Sequence, residues 1–495
     1  MDILPDNVFL EIFDLYLHDT TTNPSPQRKA QRQSNWQTLV HVCQRWRRIV
    51  FSSPRQLNLH LRCSNKTPVL KNLAFWPATL PLILNYSFLN HVSRDEDNIA
   101  AALLHSTRIQ RISIFGKDPL IKKVATVMRQ SFPALTHLYL GQNHDPSTFP
   151  VLPRRLLGGS APCLQHLRFK SVAFPRLPTF LLSARNLVTL QLKDIPQKGY
   201  ISPEAMTGSL AVLTRLTTLS ILFNDDTFTS DPQANRTDPP IQVILPALSE
   251  FHYRGGSQYL ENFLAQVDTP RLNHLKIEYA TDGIEALQLS LFIERTENLK
   301  LDKFAHAKVI FYEDYSYVEL GSLHGKGSQA HLSLEFCYQQ YLTLQVPCMA
   351  SVLGQLAGQL AVFPDTADLS TRGIHVMGPK DMDITQWRPF FRLFPTVQTL
   401  RISGAVKTSI LSALEESIHT QGTVTDHVFP ALRLIWLAED GDKDEAEEED
   451  EEETPVGAIG RFLSLRQLAG HRVTVVNTED EFVEAKVEAQ LERSS

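Results

Sequence analysis

The chain offers little sulfur chemistry. Five cysteines in 495 residues (Cys43, Cys63, Cys163, Cys337 and Cys348) are too few for a disulfide scaffold, and none has C-x-x-C spacing. This usage excludes the small disulfide-rich secreted class and fits buried thiols in a reducing compartment, the cytoplasm or the nucleus. No uninterrupted run of about 18 apolar residues occurs, so no membrane span is expected. The richest stretch, 349–363, is broken by Gly354, Gln355, Gly358 and Gln359. The first residues, with Asp2, lack a basic region and do not read as a secretory signal. Without such a signal, the N-x-S/T triplets at Asn65, Asn85 and Asn235 read as chance matches. There is no P-loop, G-x-S-x-G, H-E-x-x-H or C-x-x-C motif. Gly325-Lys326-Gly327-Ser328 lacks the third glycine of a phosphate loop and reads as a turn. No enzyme activity, cofactor or metal is therefore expected.

What is present is globular in composition: 43% hydrophobic, 9% aromatic and 21% charged residues. The net charge of −6 is unevenly placed. Residues 439–453 hold twelve acids and one lysine, a local charge of −11, which leaves +5 on the other 480 residues. A body so mildly basic, with few aromatics among its cations, gives no expectation of nucleic-acid binding.

Two amphipathic helices are expected in the first fifty residues. Pro5 and Asp6 open the first, and Val8, Ile12 and Leu15 line one stripe of it. Residues 18–34 are polar and contain Pro24 and Pro26. The second helix starts near Ser34, which has capping-box spacing to Gln37, and carries Trp36, Leu39, Val40, Cys43, Trp46 and Val50 up to Ser52-Ser53-Pro54. A module this small buries too little surface to stand alone, so its apolar residues are either core shared with the rest of the chain or a partner contact.

The order Leu4-Pro5, then Glu11-Ile12-Phe13, then Leu39-Val40-His41-Val42-Cys43-Gln44-Arg45-Trp46-Arg47 resembles the F-box motif. Ser53-Pro54-Arg55 and the short strand candidates after it are similar to the continuation seen in fungal F-box families. F-box domains bind the Skp1 subunit of cullin-RING ubiquitin ligases. The resemblance implies that Leu4, Pro5, Ile12, Phe13, Val42, Cys43 and Trp46 form that contact or support it. The polar 18–34 insert is longer than is usual in the family. After the module, Leu57 to Leu61 alternates with period two, and 80–84 is apolar, so both read as strands.

The rest is dominated by an L-x-x-L-x-L unit. Copies begin at Ile109, Leu135, Leu164, Leu187, Leu216, Leu248, Leu272, Val397 and Leu432. The first six intervals are 26, 29, 23, 29, 32 and 24 residues; a gap of 125 and an interval of 35 follow. The last two apolar positions of each unit point inward from a short strand, the first anchors the preceding turn, and about 20 residues return as a helix. One such unit cannot bury its apolar face, so units must stack. The pattern resembles leucine-rich repeats, without the usual asparagine after the strand and with varying lengths, which implies an irregular array of uneven curvature. The gap has room for about four more units.

Alternation along a strand turns the third and fifth positions of each unit to the open, concave face. The third-position column includes Arg111, His137, His166, Glu250 and His274; the fifth includes Tyr139, Arg168, Gln191, His252, Lys276, Arg401 and Trp436. With four basic residues and one acid between them, the columns suit capture of a partner, anchored by aromatic and arginine side chains. Candidate residues of this face are Arg111, His137, Tyr139, His166, Arg168, Gln191, His252, His274, Lys276 and Arg401. His137 and His166 become neighbours, but two histidines without a third ligand do not make a zinc site.

The expected organisation is an α/β fold: a helical F-box-like module at 1–52, connecting strands at 53–100 that cap the array, an irregular leucine-rich-repeat-like solenoid at 101–438, a disordered acidic insert at 439–456, and a C-terminal cap with a polar tail at 457–495. The expected function is substrate recognition in a Skp1–cullin–F-box ubiquitin ligase. Its partners are a Skp1-like protein, cullin through it, and a protein substrate held on the array. The alternative is a repeat-based interaction scaffold unconnected with ubiquitination. If the acidic run folds over the basic face and competes with ligands, deleting 439–453 raises affinity for an acidic partner at low salt, as titration would read. An unchanged affinity contradicts that contact.

Overall fold

The computed structural model describes residues 4–18, 36–53, 57, 59–64, 73–74, 76–87, 95–142, 149–224, 242–279, 286–300, 306–312, 315–321, 331–337, 345–360, 373–377, 384–394, 396–403, 406–419, 429–437, 460, 463–464, 466–467 and 473–477. The Ser34 cap, most of the 18–34 insert, the turn at Gly325, the acidic run and the tail from Thr478 lie outside them. The chain divides into two compact units, Met1–Ile201 and Ser202–Ser495. The division falls within the stretch read as one array.

In the first unit, helices α1 (Asp6–His18), α2 (Trp36–Val42) and α3 (Gln44–Ser52) precede six strands: β1 (Leu61–Ser64), β2 (Leu82–Ser87), β3 (Ile109–Gly116), β4 (His137–Gln142), β5 (His166–Lys170) and β6 (Thr189–Ile195). Helices α4 (Asp95–Leu103), α5 (Asp118–Val127) and α6 (Leu177–Leu181) connect them. The strands pair in sequence order, all parallel. Parallel neighbours need a crossover, and the stretches between successive units supply it.

The helix expected from Ser34 to Ser52 is two helices. Cys43 between them is fully extended (φ −159°, ψ 170°), and its Sγ accepts the Trp46 N–H at 3.5 Å. This break lets the Trp46 ring reach Phe13 and Phe9, with centroids 4.8 and 5.9 Å apart. Cys43 and Cys163 are exposed, against the expectation of buried thiols; Cys63 is buried, and burial pushes its thiol up to about 11. The strand expected from Leu57 begins only at Leu61, because Leu57 and Leu59 turn into the core of the helical module instead of entering the sheet. That core also takes in Leu80 and the edge of Trp76, so it extends well past residue 52.

The L-x-x-L-x-L units read directly as structure. From Leu135 onward the first apolar residue of each unit closes the same i to i−3 turn: Leu135, Leu164 and Leu187 donate N–H bonds to Phe132, Ala161 and Ala184 carbonyls at 3.2, 3.1 and 3.0 Å. The next carbonyl accepts two N–H groups from the following unit, as Thr136 O does from Gln165 (2.8 Å) and His166 (3.0 Å). The two inward residues, Leu138 and Leu140 in β4, are buried.

The second unit contains helices α7 (Pro203–Leu210), α8 (Ser257–Leu264), α9 (Leu287–Arg295), α10 (Gln345–Leu360), α11 (Ile384–Phe391) and α12 (Lys407–His419). Its strands are β7 (Thr218–Phe223), β8 (Val243–Ile244), β9 (Glu250–Gly255), β10 (Val267–Asp268), β11 (His274–Tyr279), β12 (His306–Phe311), β13 (Tyr315–Gly321), β14 (His331–Cys337), β15 (Gly373–Met377), β16 (Thr399–Ser403), β17 (Leu434–Leu437) and β18 (Thr474–Asn477). The main sheet runs β7-β9-β11-β14-β13-β12-β15-β16-β17-β18, and β8 pairs with β10 in a small sheet. The return of the chain expected at Val473 to Val476 is β18, parallel to β17.

The long gap between repeats departs from expectation. It holds four strands, but β13 runs antiparallel to both β12 and β14. Three residues separate Phe311 from Tyr315, far too few for a parallel crossover, so a hairpin forms. Trp436 pairs in register with Arg401, on the side of the fifth-position column, but it is buried there instead of open. The fold is thus mixed α/β, with predominantly parallel sheets. Because the inward leucines carry the packing, Leu140→Ala or Leu167→Ala is expected to destabilise the protein by about 2–5 kcal/mol. The exposed Val151→Ala should shift stability by less than about 0.5 kcal/mol in the same denaturant titration.

Candidate functional site

Two surfaces contain the residues singled out in the sequence. The first is the helical module. Phe9, Phe13, Trp36, Leu39, Val40, Ile49 and Val50 form its core, with Trp46 packed against them. Phe13 has 0% of its surface exposed, so it supports the module from within and is no contact residue. Trp46 is half-buried against Phe9 and Phe13 and plays the same supporting part. Leu4, Pro5 and Cys43 are exposed, as are Ile12 (45%) and Val42 (56%). Leu15 (72%), on the stripe read from the sequence, and Tyr16 (51%) follow Ile12 at i+3 and i+4 along α1. Helical spacing puts Tyr16 beside Phe9, so spacing alone does not mark it as exposed. Arg45 fixes the start of α1 on α3: it donates to the Leu4 carbonyl at 2.5 Å and to Asp6 Oδ1 at 2.9 and 3.2 Å, and lies 4.9 Å over the Phe9 ring.

The second surface is the open face of β1–β6. Register places Arg62, Ile83, Arg111, His137, His166 and Thr189 in one row. Two residues along, Asn85, Ser113, Tyr139, Arg168 and Gln191 form another. These rows line a cavity of about 420 Å³. The sequence-predicted residues Arg111, His137, Tyr139, His166, Arg168 and Gln191 meet there; Arg62 and Asn85 were missed because β1 and β2 lack the repeat motif. The imidazoles of His137 and His166 stack with centroids 4.2 Å apart, and Thr136 Oγ1 lies 2.8 Å from His137 Nδ1. Burial, reinforced by the Arg111 and His166 charges, lowers His137 to about 4; burial and Arg111 lower His166. Arg168 sits 4.9 Å over the Tyr139 ring. Both imidazoles are therefore neutral at pH 7, and the cavity's charge comes from guanidinium groups.

The equivalent positions in the second unit are neutralised. Glu278 Oε1 lies 2.7 Å from both His252 Nε2 and Lys276 Nζ, and Lys276 also reaches Glu335 at 3.1 Å. Burial favours the protonated carboxyl, but these bonds outweigh it and hold Glu278 at about 2. Glu278 and Glu335 lie two residues beyond the fifth position and its register partner, outside the columns read from the repeat. The His274 and His331 rings are tilted by 41° with centroids 6.1 Å apart, and Arg401 is on β16. Among the described residues, no cluster of three or more metal-ligating side chains occurs, so the histidine pair is not part of such a set.

The histidine pair gives a direct readout. His137 is expected to titrate near pH 4 by NMR, against an ordinary 6.5, and Arg111→Gln to move it upward. Between those values the unfolded chain binds a proton that the folded chain does not. This group therefore lowers stability as pH falls from about 6.5 to about 4, and His137→Gln flattens the decline. Titration of His137 at its ordinary value contradicts the account.

Comparison with known proteins adds no family to this geometry: no protein-family model matches the chain, and no curated protein matches it.

Proposed function

We propose that the chain is the substrate receptor of a Skp1–cullin–F-box-type ubiquitin ligase. In this reading the helical module docks on a Skp1-like protein, and a leucine-rich-repeat-like array carries the target. The supporting observation is the division of the module into a filled aromatic core and an exposed apolar stripe. Ile12, Leu15, Tyr16 and Val42 are large apolar side chains left in water on a module that already has its core. Exposed apolar groups of this kind mark protein contacts. The resemblance to the F-box motif covers the same segment and supplies the partner's identity. The parallel strand-and-turn units support a solenoid reading for 101–438, with the β12–β14 meander as an insertion. Catalysis would be proximity alone: the receptor holds its target near the conjugating enzyme and contributes no reacting group. This role places the protein in the cytoplasm or the nucleus. Among the described residues no helix is long and apolar enough to cross a membrane.

Co-purification of Skp1 with the full chain tests the reading. Ile12→Lys with Val42→Lys replaces exposed groups, so folding should persist while Skp1 recovery falls at least about tenfold, equivalent to about 1.4 kcal/mol. Equal recovery of Skp1 by wild type and double variant defeats the proposal and favours the scaffold alternative. Phe13→Ala is not a contact test, since it opens the core.

A further inference from the structure

Among the described residues, the cavity on β1–β6 carries cations without counter-ions. Arg62 and Arg111 stand two strands apart in one row, about 10 Å at the backbone. Arg168 lies two strands further and two residues along. All three line the same space, and among the described residues no acid does. Among the described residues none of the three forms an ion pair, and Arg62 Nε is buried with no hydrogen-bond partner. Asp194, the acid whose charge reaches Tyr139, is paired with Lys170 at 3.8 Å and lies outside the lining. The groups sense one another: Arg111 acts on Arg62, His137 and His166 alike.

A buried guanidinium N–H without a partner and three unpaired cations around one cavity form an arrangement completed by oxygen anions, which accept from the planar guanidinium fork. The volume is that of a small-ligand site, and the Tyr139 ring and the neutral imidazoles add flat, partly apolar walls.

We infer that this cavity is a binding site for an oxyanion ligand carrying two or more phosphate or carboxylate groups, held by Arg62, Arg111 and Arg168. The two imidazoles serve as neutral hydrogen-bonding walls, and Tyr139 positions Arg168. The inference goes beyond the ubiquitin-ligase reading and does not depend on it. The site lies on the sheet, and the Skp1 contact would lie on α1 and α2. Loss of one is readable with the other intact.

Calorimetric titration of the full chain at low ionic strength tests it with three probes: inorganic phosphate, tripolyphosphate and a hexaglutamate peptide. Tripolyphosphate is expected to bind, and Arg111→Gln and Arg168→Gln each to weaken it at least about tenfold, whereas Arg185→Gln, an exposed cation outside the cavity, leaves it unchanged. Binding of the peptide alone, with the same dependence on Arg111, also supports the site and assigns the anion to a protein ligand. Removing one of several mutually repelling charges should leave the thermal midpoint unchanged or raised, so lost binding at a preserved midpoint is not misfolding. No binding of any probe, or equal weakening by Arg185→Gln, overturns the inference. So does binding that Arg111→Gln leaves intact.

Discussion

Parallel strands paired in register put like positions of successive units in line, and most of what this chain does follows from that constraint. Along each strand the side chains alternate, so the apolar fourth and sixth positions of the motif stack into one core. The third and fifth positions stack on the opposite face with neighbours about 4.8 Å apart. The first leucine fixes the register, because its N–H closes the turn that delivers the chain to the next strand. A unit that lost this turn would slip by one residue and exchange core for surface. The same ladder that buries Leu138, Leu167 and Leu190 places Arg111, His137 and His166 side by side.

The stacking constraint explains what the sequence made legible. From Leu135 to Leu272 the turn, the strand and the inward pair of each copy were readable from spacing. Where the motif is absent the reading failed in a definable way. The 125-residue gap suggested further parallel units, but a three-residue link between β12 and β13 imposes a hairpin, and the order β14-β13-β12 follows. A turn's brevity is a local property; which strand it pairs with is not. Arg62 was invisible because its place in the Arg111 row depends on two pairings, through Ile83, that no motif announces. Glu278 and Glu335 were overlooked because the six-position motif ends before Glu278 and is absent around Glu335, although their charges decide the polarity of the second unit's face.

The helical module obeys a different rule. Its apolar residues were legible as helical stripes, but spacing could not separate those that face inward from those left in water. The decision rests on Cys43. An extended residue there breaks one expected helix into two, swings Trp46 onto Phe9 and Phe13, and completes the core with Leu57, Leu59 and Leu80 from the segment that follows. With that core filled, Ile12, Leu15, Tyr16 and Val42 stay exposed among the described residues. A polar side chain at any of these places would cost the fold little, and their apolar character is therefore better explained by a contact than by stability.

The two units show two answers to the same electrostatic problem. Stacking basic residues on adjacent strands raises the energy of the folded state through repulsion and desolvation. In the second unit the problem is solved internally: Glu278 and Glu335 are drawn in among His252, Lys276 and Arg254, and the depressed Glu278 carboxyl records how strongly the cations hold it. In the first unit the row next to the arginines contains serine, asparagine and glutamine but no carboxylate, and the histidines relieve the repulsion by staying neutral. Shedding the imidazole protons reduces the charge, yet leaves the guanidinium groups, which cannot deprotonate, without a counter-ion. A glutamate at a position such as Gln191 or Ser113 would neutralise the cavity as Glu278 does the second unit. Its absence makes the first unit's face the place where an external anion gains most, because the energy that an internal carboxylate would have recovered is still available to a ligand.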